Sequence, residues 1–252
     1  MVGRAASLLS RRRWTAFAVL AVCVVAWFVA APHIPHVGLW PAIAIVSIAV
    51  MPLTLLLVLI ALPLREMETP ALLIATGVCI ALAVVFAELG LGLEGNFAKL
   101  WAAVFAGWAF LRFFEFLSWV VIVAVVVPVV DAISVWSRYG PTHAITSNPK
   151  HFHIYTDVAI AFVVPGGGAA YLGPPDILFF ALFLGAAARW RLRVNWTWAG
   201  MTAMYGITVV TANAANVSGL PALPFLSVGF LLANCDLLWR SLRRDRQTQS
   251  SD

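Results

Sequence analysis

Charge is what this sequence has least of. Only 11% of its 252 residues are Asp, Glu, Lys or Arg, while 62% are hydrophobic. A soluble globular domain carries about 25% charged residues, so a large water-facing domain is excluded. The mean hydropathy of +0.94 says the same. The net charge of +5 does not point to nucleic acid, because the basic residues gather at the ends of apolar runs and leave no basic face for a polyanion. Cysteine is nearly absent too. Cys23, Cys79 and Cys235 each fall inside an apolar run with neither disulfide nor metal spacing, and read as small core residues. His143, His151 and His153 include an H-x-H pair, but no Cys or acidic cluster completes a metal site, and they read as solvated loop histidines. Gly166-Gly167-Gly168 lacks the Lys and Ser/Thr of a phosphate loop. No cofactor signature is present.

Long apolar runs fill the space that charge leaves. The first covers Trp14–Ala31, after Arg11-Arg12-Arg13. It exceeds the 7–15 residues usual in a signal-peptide core, so it reads as a retained span, although Val29-Ala30-Ala31 has the small residues of a cleavage site. Further runs cover about Gly38–Leu64, Pro70–Leu93, Phe97–Leu111, Phe116–Trp136, Tyr171–Ala188, Trp196–Ala212 and Pro221–Trp239. The expected fold is therefore an all-α polytopic membrane protein of about eight transmembrane helices. Its organisation divides into 1–115, holding the first four helices; 116–239, holding helices five to eight with a loop at 137–170; and a disordered polar tail, 240–252. Within the loop, Asp157–Pro165 (DVAIAFVVP) is β-branched and too short to span, and reads as a strand or re-entrant piece ended by the three glycines.

Eight spans place both termini on one side. Thirteen of the sixteen Lys+Arg residues then lie inside, and only Lys99, Arg138 and Lys150 lie outside. By the positive-inside rule both termini are cytoplasmic and the protein sits multi-pass in the cell membrane.

Within this apolar chain two acids stand out. Asp131 lies in VVVPVVDAISVW and Asp176 in LGPPDILFFALFLG. An unpaired charge inside a span costs roughly 2.5–3.5 kcal/mol on insertion scales, so neither reads as packing material. Asp131 is five residues before Trp136 and Asp176 five after Tyr171. At 1.5 Å per residue each falls roughly 7–8 Å below the same interface, on helices of opposite direction. Gly173-Pro174-Pro175-Asp176 reads as a helix start with the acid in its first turn. Downstream, Pro221-Ala222-Leu223-Pro224 opens the last run; its two prolines remove donors and hold the chain extended with free carbonyls.

Acid, acid and a PAL turn, in this order, resemble the presenilin and signal-peptide-peptidase family of intramembrane aspartyl proteases, with its YD, GxGD and PAL motifs. Val130 stands where the family has Tyr, and Pro175 where it has the second Gly. The chain resembles a divergent, prokaryotic-type member over about Val125–Trp239, with a presenilin-like catalytic C-terminal half. The resemblance implies an aspartic endopeptidase with Asp131 and Asp176 as the catalytic pair. Gly173, Pro221, Ala222, Leu223 and Pro224 would bind a transmembrane-helix substrate or signal-peptide remnant. The implied partners are that helix and the lipid bilayer, with no nucleic acid, metal or cofactor; oligomeric state stays open. The polarity of the last span resembles the signal-peptide-peptidase branch.

Other readings of the same residues are a catalytically inactive relative that binds transmembrane helices, and a small proton-coupled transporter using Asp131, Asp176 and Glu88. Asp236 is expected to pair with Arg240, four residues on. Asn195 and Asn216 head sequons without other support for a glycan.

Overall fold

The structure is a computed structural model that describes residues 10–137, 155–215, 217 and 220–249. His143, His151, His153, Arg138, Lys150 and Asn216 lie outside the described residues. Helices dominate: α1 is Arg11–Ala30, α2 Leu39–Ile45, α3 Met51–Ala61, α4 Thr69–Glu88, α5 Gly92–Phe110 and α6 Leu117–Trp136. A hairpin of β1 (Ile160–Val163) and β2 (Ala169–Leu172) follows, then α7 (Pro174–Arg189), α8 (Val194–Ala214) and α9 (Leu223–Gln249). A π-helical turn, Val46–Val50, joins α2 to α3 as one continuous segment.

Every apolar run expected from the sequence holds a helix. Five helical segments are long and apolar enough to cross a membrane: Arg11–His33, Leu39–Glu66, Thr69–Glu88, Leu117–Trp136 and Leu223–Ser241. The chain is thus a helical protein, interrupted by one β-hairpin, with the architecture of a polytopic membrane protein. Outward faces support this. Val78, Val84 and Val85 on α4, and Val125, Val129, Ile133 and Trp136 on α6, are all exposed, an apolar surface that a soluble monomer does not present.

The core is built around α7. Ile177 and every residue from Phe180 to Ala187 are buried, and α5, α8 and α9 pack around it. The α5 contact is close because Gly107 lies against the Leu178 carbonyl, where a side chain at Gly107 would collide. Small residues allow such backbone approach in membrane interiors. With 16 residues, α7 is about 24 Å long, short of the roughly 30 Å hydrocarbon thickness. The hairpin precedes it directly, and Ala159, Ile160 and Phe162 are fully buried.

Several boundaries differ from the sequence expectation. The sixth apolar run does not begin as helix at Tyr171: that residue is in β2, and the helix starts at Pro174. Ala169–Leu172 pairs with β1 instead, and the helix begins only where Pro174 fits its first turn. The tail expected to be disordered continues α9 to Gln249, through Arg and Gln residues of good helix propensity. None of the cysteines is in the core: Cys23 and Cys235 are exposed and Cys79 is half-buried. Asp236 pairs with Arg193 rather than Arg240, through two parallel contacts of 2.8 Å. The Arg193 fork reaches the carboxylate from the turn before α8 in a bidentate geometry, which is the stronger kind of pairing.

Candidate active site

Pro128 sits inside α6, three residues before Asp131. It removes one backbone bond of the helix and crowds the preceding turn, which bends helices. Asp131 follows this weak point, partly exposed, and its Oδ2 accepts from the Leu223 backbone N–H at 3.1 Å. That amide belongs to the first turn of α9, where N–H groups have no partner inside the helix. Prolines at 221 and 224 carry no N–H at all. Asp131 therefore caps α9 from a different helix, at the PAL turn.

Asp176 lies at the start of its own helix. Pro174 and Pro175 occupy the first turn, and Asp176 Oδ2 accepts from the Gly173 N–H at 2.9 Å. This is the helix start expected from Gly-Pro-Pro-Asp, closed as half of a capping box. The Asp131 and Asp176 carboxyls are close enough to interact electrostatically. Each stands at a helix N-terminus, where the macrodipole favours negative charge. The depth argument from Tyr171 needs correction, because Tyr171 is not helical. The acids come within electrostatic reach of each other because α6 and α7 both pack against α9.

The PAL turn also differs in detail. Pro221 and Ala222 precede α9, but Leu223 and Pro224 are helical. The Ala222 carbonyl is not free: it accepts from Leu226 N–H at 3.0 Å. Pro221, Ala222 and Leu223 are buried and Pro224 partly so. A groove of about 580 Å³ runs along this stretch of α6, lined by Pro128, Val129, Ala132, Ile133, Trp136 and Pro224.

The strand expected at 157–165 is β1, and it pairs antiparallel with β2, Ile160 opposite Leu172 and Ala161 opposite Tyr171. Gly166, Gly167 and Gly168, all at positive φ, make the turn. The outer edge of β1 is sealed by side chains. Asn96 of α5 mimics a neighbouring strand: its amide donates to the Ala161 carbonyl at 3.0 Å and accepts from the Ala161 N–H at 2.7 Å. Trp27 donates to the Val163 carbonyl at 3.0 Å, and Lys99 to the Asp157 and Ala159 carbonyls at 3.0 and 2.7 Å. Because Ala161 faces away from β2, its opposite residue Tyr171 turns its own N–H and C=O outward. The same holds for Ala169, opposite Val163. Among the described residues these outward groups of β2 have no partner. Among the described residues one edge of the hairpin is closed and the other open, and the open one leads directly into Gly173 and Asp176.

Two tyrosines that sequence reading did not single out belong to the site. Tyr205 of α8, fully buried, donates to the Asp176 backbone carbonyl at 2.6 Å. Tyr155, just before the hairpin, senses both carboxylates; burial first, then those two charges, push its phenol above its ordinary value. A phenol thus stands near the pair although Val130, next to Asp131, is exposed and apolar. Glu88 is not gathered with the aspartates: it is exposed at the end of α4, which packs on α5. Among the described residues no group of three His, Cys, Asp or Glu is placed to hold a metal.

Comparison with known proteins brings no match: no family model, no curated protein and no solved structure aligns with this chain.

Proposed function

We propose that this protein is an intramembrane aspartyl endopeptidase, a divergent member of the presenilin and signal-peptide-peptidase family, hydrolysing transmembrane helices or signal-peptide remnants with Asp131 and Asp176. One arrangement carries the reading: Asp131 is bonded to the start of α9 and Asp176 stands at the start of α7, on helices that contact one another, beside a strand whose outer edge has no partner among the described residues. Peptide hydrolysis by an acid pair needs one carboxylate to activate water and one protonated partner to donate to the carbonyl oxygen. A pair that feels each other's charge meets that need by sharing one proton. The substrate helix must unwind first, and in lipid its freed backbone groups need partners. Tyr171 and Ala169 on the β2 edge supply them by strand addition, with Gly173 and the Pro221–Pro224 turn flanking the scissile bond. Eight helices cross the membrane in this reading, both termini are cytoplasmic, and the presenilin-like unit is 116–239.

A second reading has its own observation. Each carboxylate already accepts a helix-terminal amide, so the same acids serve as caps in a protein that binds transmembrane helices without cutting them. Purified protein incubated with a reporter transmembrane peptide decides between the two. Cleavage by the wild type, lost in Asp131→Ala and in Asp176→Ala, supports the protease. Intact peptide that still binds supports the helix-binding relative, and neither cleavage nor binding overturns both.

A further inference from the structure

Far from the acids, at the other end of α7, the structure holds a cavity of about 600 Å³. Its floor and walls are apolar, from Leu59, Ile60, Leu62 and Ala188, while Arg12, Arg13 and Arg65 line it together with Glu66. The twelve residue steps of helix from Asp176 to Ala188 set it about 18 Å from the candidate catalytic pair.

The arginines at this end are not equivalent. Arg112 donates to the Arg65 and Met67 carbonyls, Arg189 to the Leu111 carbonyl, and Arg193 holds Asp236. Arg65 spends one nitrogen on Glu66 at 3.1 Å, but its Nε is buried with no partner among the described residues. Arg112 and Arg189 add their positive charge at Arg65. Arg12 and Arg13 make no side-chain hydrogen bond with the described residues. A buried guanidinium N–H left unpaired is costly, and Arg65 lines a net-positive cavity.

A second groove, of about 720 Å³, continues from the first along α1 and α3. The two share Arg12, Ala16 and Ile60. From that neck the groove runs past Val19, Leu20, Cys23 and Leu56, an apolar track along the outside of two helices long enough to cross a membrane.

We propose that this pair of cavities is a binding site for an anionic phospholipid, with its headgroup phosphate among Arg12, Arg13 and Arg65 and one acyl chain in the α1–α3 groove. Arginine suits the task because its planar fork pairs with two phosphate oxygens at once. The apolar track suits an acyl chain and nothing hydrophilic, which separates a lipid from a free anion. A basic pocket between membrane helices is a recurrent form of headgroup recognition. The site lies apart from the aspartates, so it stands whichever reading of them holds.

Native mass spectrometry of the full chain, released from micelles holding equal phosphatidylglycerol and phosphatidylcholine, tests it. The wild type should retain phosphatidylglycerol in preference to phosphatidylcholine. With about fivefold carried by each arginine near the surface, Arg12→Gln with Arg13→Gln should lower that preference on the order of twentyfold. Ala16→Phe, which fills the neck, should lower retention of the anionic lipid while leaving every arginine in place. Arg240→Gln, outside the cavity, should change nothing. Millimolar inorganic phosphate should fail to displace the lipid. Equal retention of the two lipids by the wild type would overturn the proposal, as would a preference insensitive to both cavity variants. Full displacement by inorganic phosphate would make the site one for free anions and overturn the lipid assignment.

Discussion

The backbone N–H of Leu223 donates to Asp131 Oδ2 at 3.1 Å, joining residues 92 apart in the chain. This bond ties the acid of α6 to the PAL turn and makes the two motifs one structural unit. It also gives Asp131 two duties, capping α9 and, in the proposed reaction, handling a proton. The duties are separable, because an amide oxygen can cap but cannot act as an acid.

Asp131→Asn should therefore keep the cap and abolish the chemistry. Cleavage of a reporter peptide should fall on the order of 10⁴-fold or more, while thermal unfolding in detergent stays near the wild-type value. Asp131→Ala should lose activity and also about 1–2 kcal/mol of stability, the ordinary worth of a cap. Activity surviving in Asp131→Asn would remove this residue from the catalytic role.

The open β2 edge makes a different demand. Tyr171→Pro removes an outward N–H without touching the ladder to β1, a position where proline is tolerated in a strand. Reporter cleavage should fall through a raised KM, and Tyr171→Ala, which keeps the N–H, should lie much nearer the wild type. Equal loss in both variants would assign the effect to the tyrosine side chain instead.

Asn96 is the clamp on the other edge. Asn96→Leu should leave the Ala161 N–H and C=O unpaired in the interior and cost about 2–4 kcal/mol, read as a lower unfolding temperature. If the variant is as stable as the parent, the hairpin is held by other contacts.

Pro175 is exposed in the first turn of α7, beside the acid and where the motif it resembles, GxGD, has Gly. A proline ring there crowds an approaching substrate strand, and a misplacement near 1 Å can cost on the order of a hundredfold. Pro175→Gly should raise proteolysis while lowering stability by about 0.4–1 kcal/mol through backbone entropy. Unchanged or reduced cleavage would make the proline a working part of the site.

Orientation can be read directly. A reporter fused to the C-terminus that is active only in the cytoplasm should be active, because arginine is concentrated at that end of the helices. A reporter active only outside would reverse the assignment and the substrate polarity drawn from it.

Helix positions, the strand at β1 and the Gly-Pro-Pro-Asp helix start were legible in the residues alone. Each depends on local chemistry: the length of an apolar run, β-branching, proline in a first turn. The same local logic failed where a distant partner competed. Asp236 had Arg240 one turn away and took Arg193, whose approach allows two contacts. Tyr171 looked like the start of a span until β1 claimed it as a strand partner. Tyr155, Tyr205 and Asn96 carry no motif, so nothing in the chain marked them. Their roles exist only because α5, α8 and the hairpin pack around α7. Hydrophobic pattern decides which segments become helices, since it acts within a few residues. Which amide meets Asp131, and which strand edge stays open, is decided by packing between segments far apart in sequence, and only the tertiary structure contains that information.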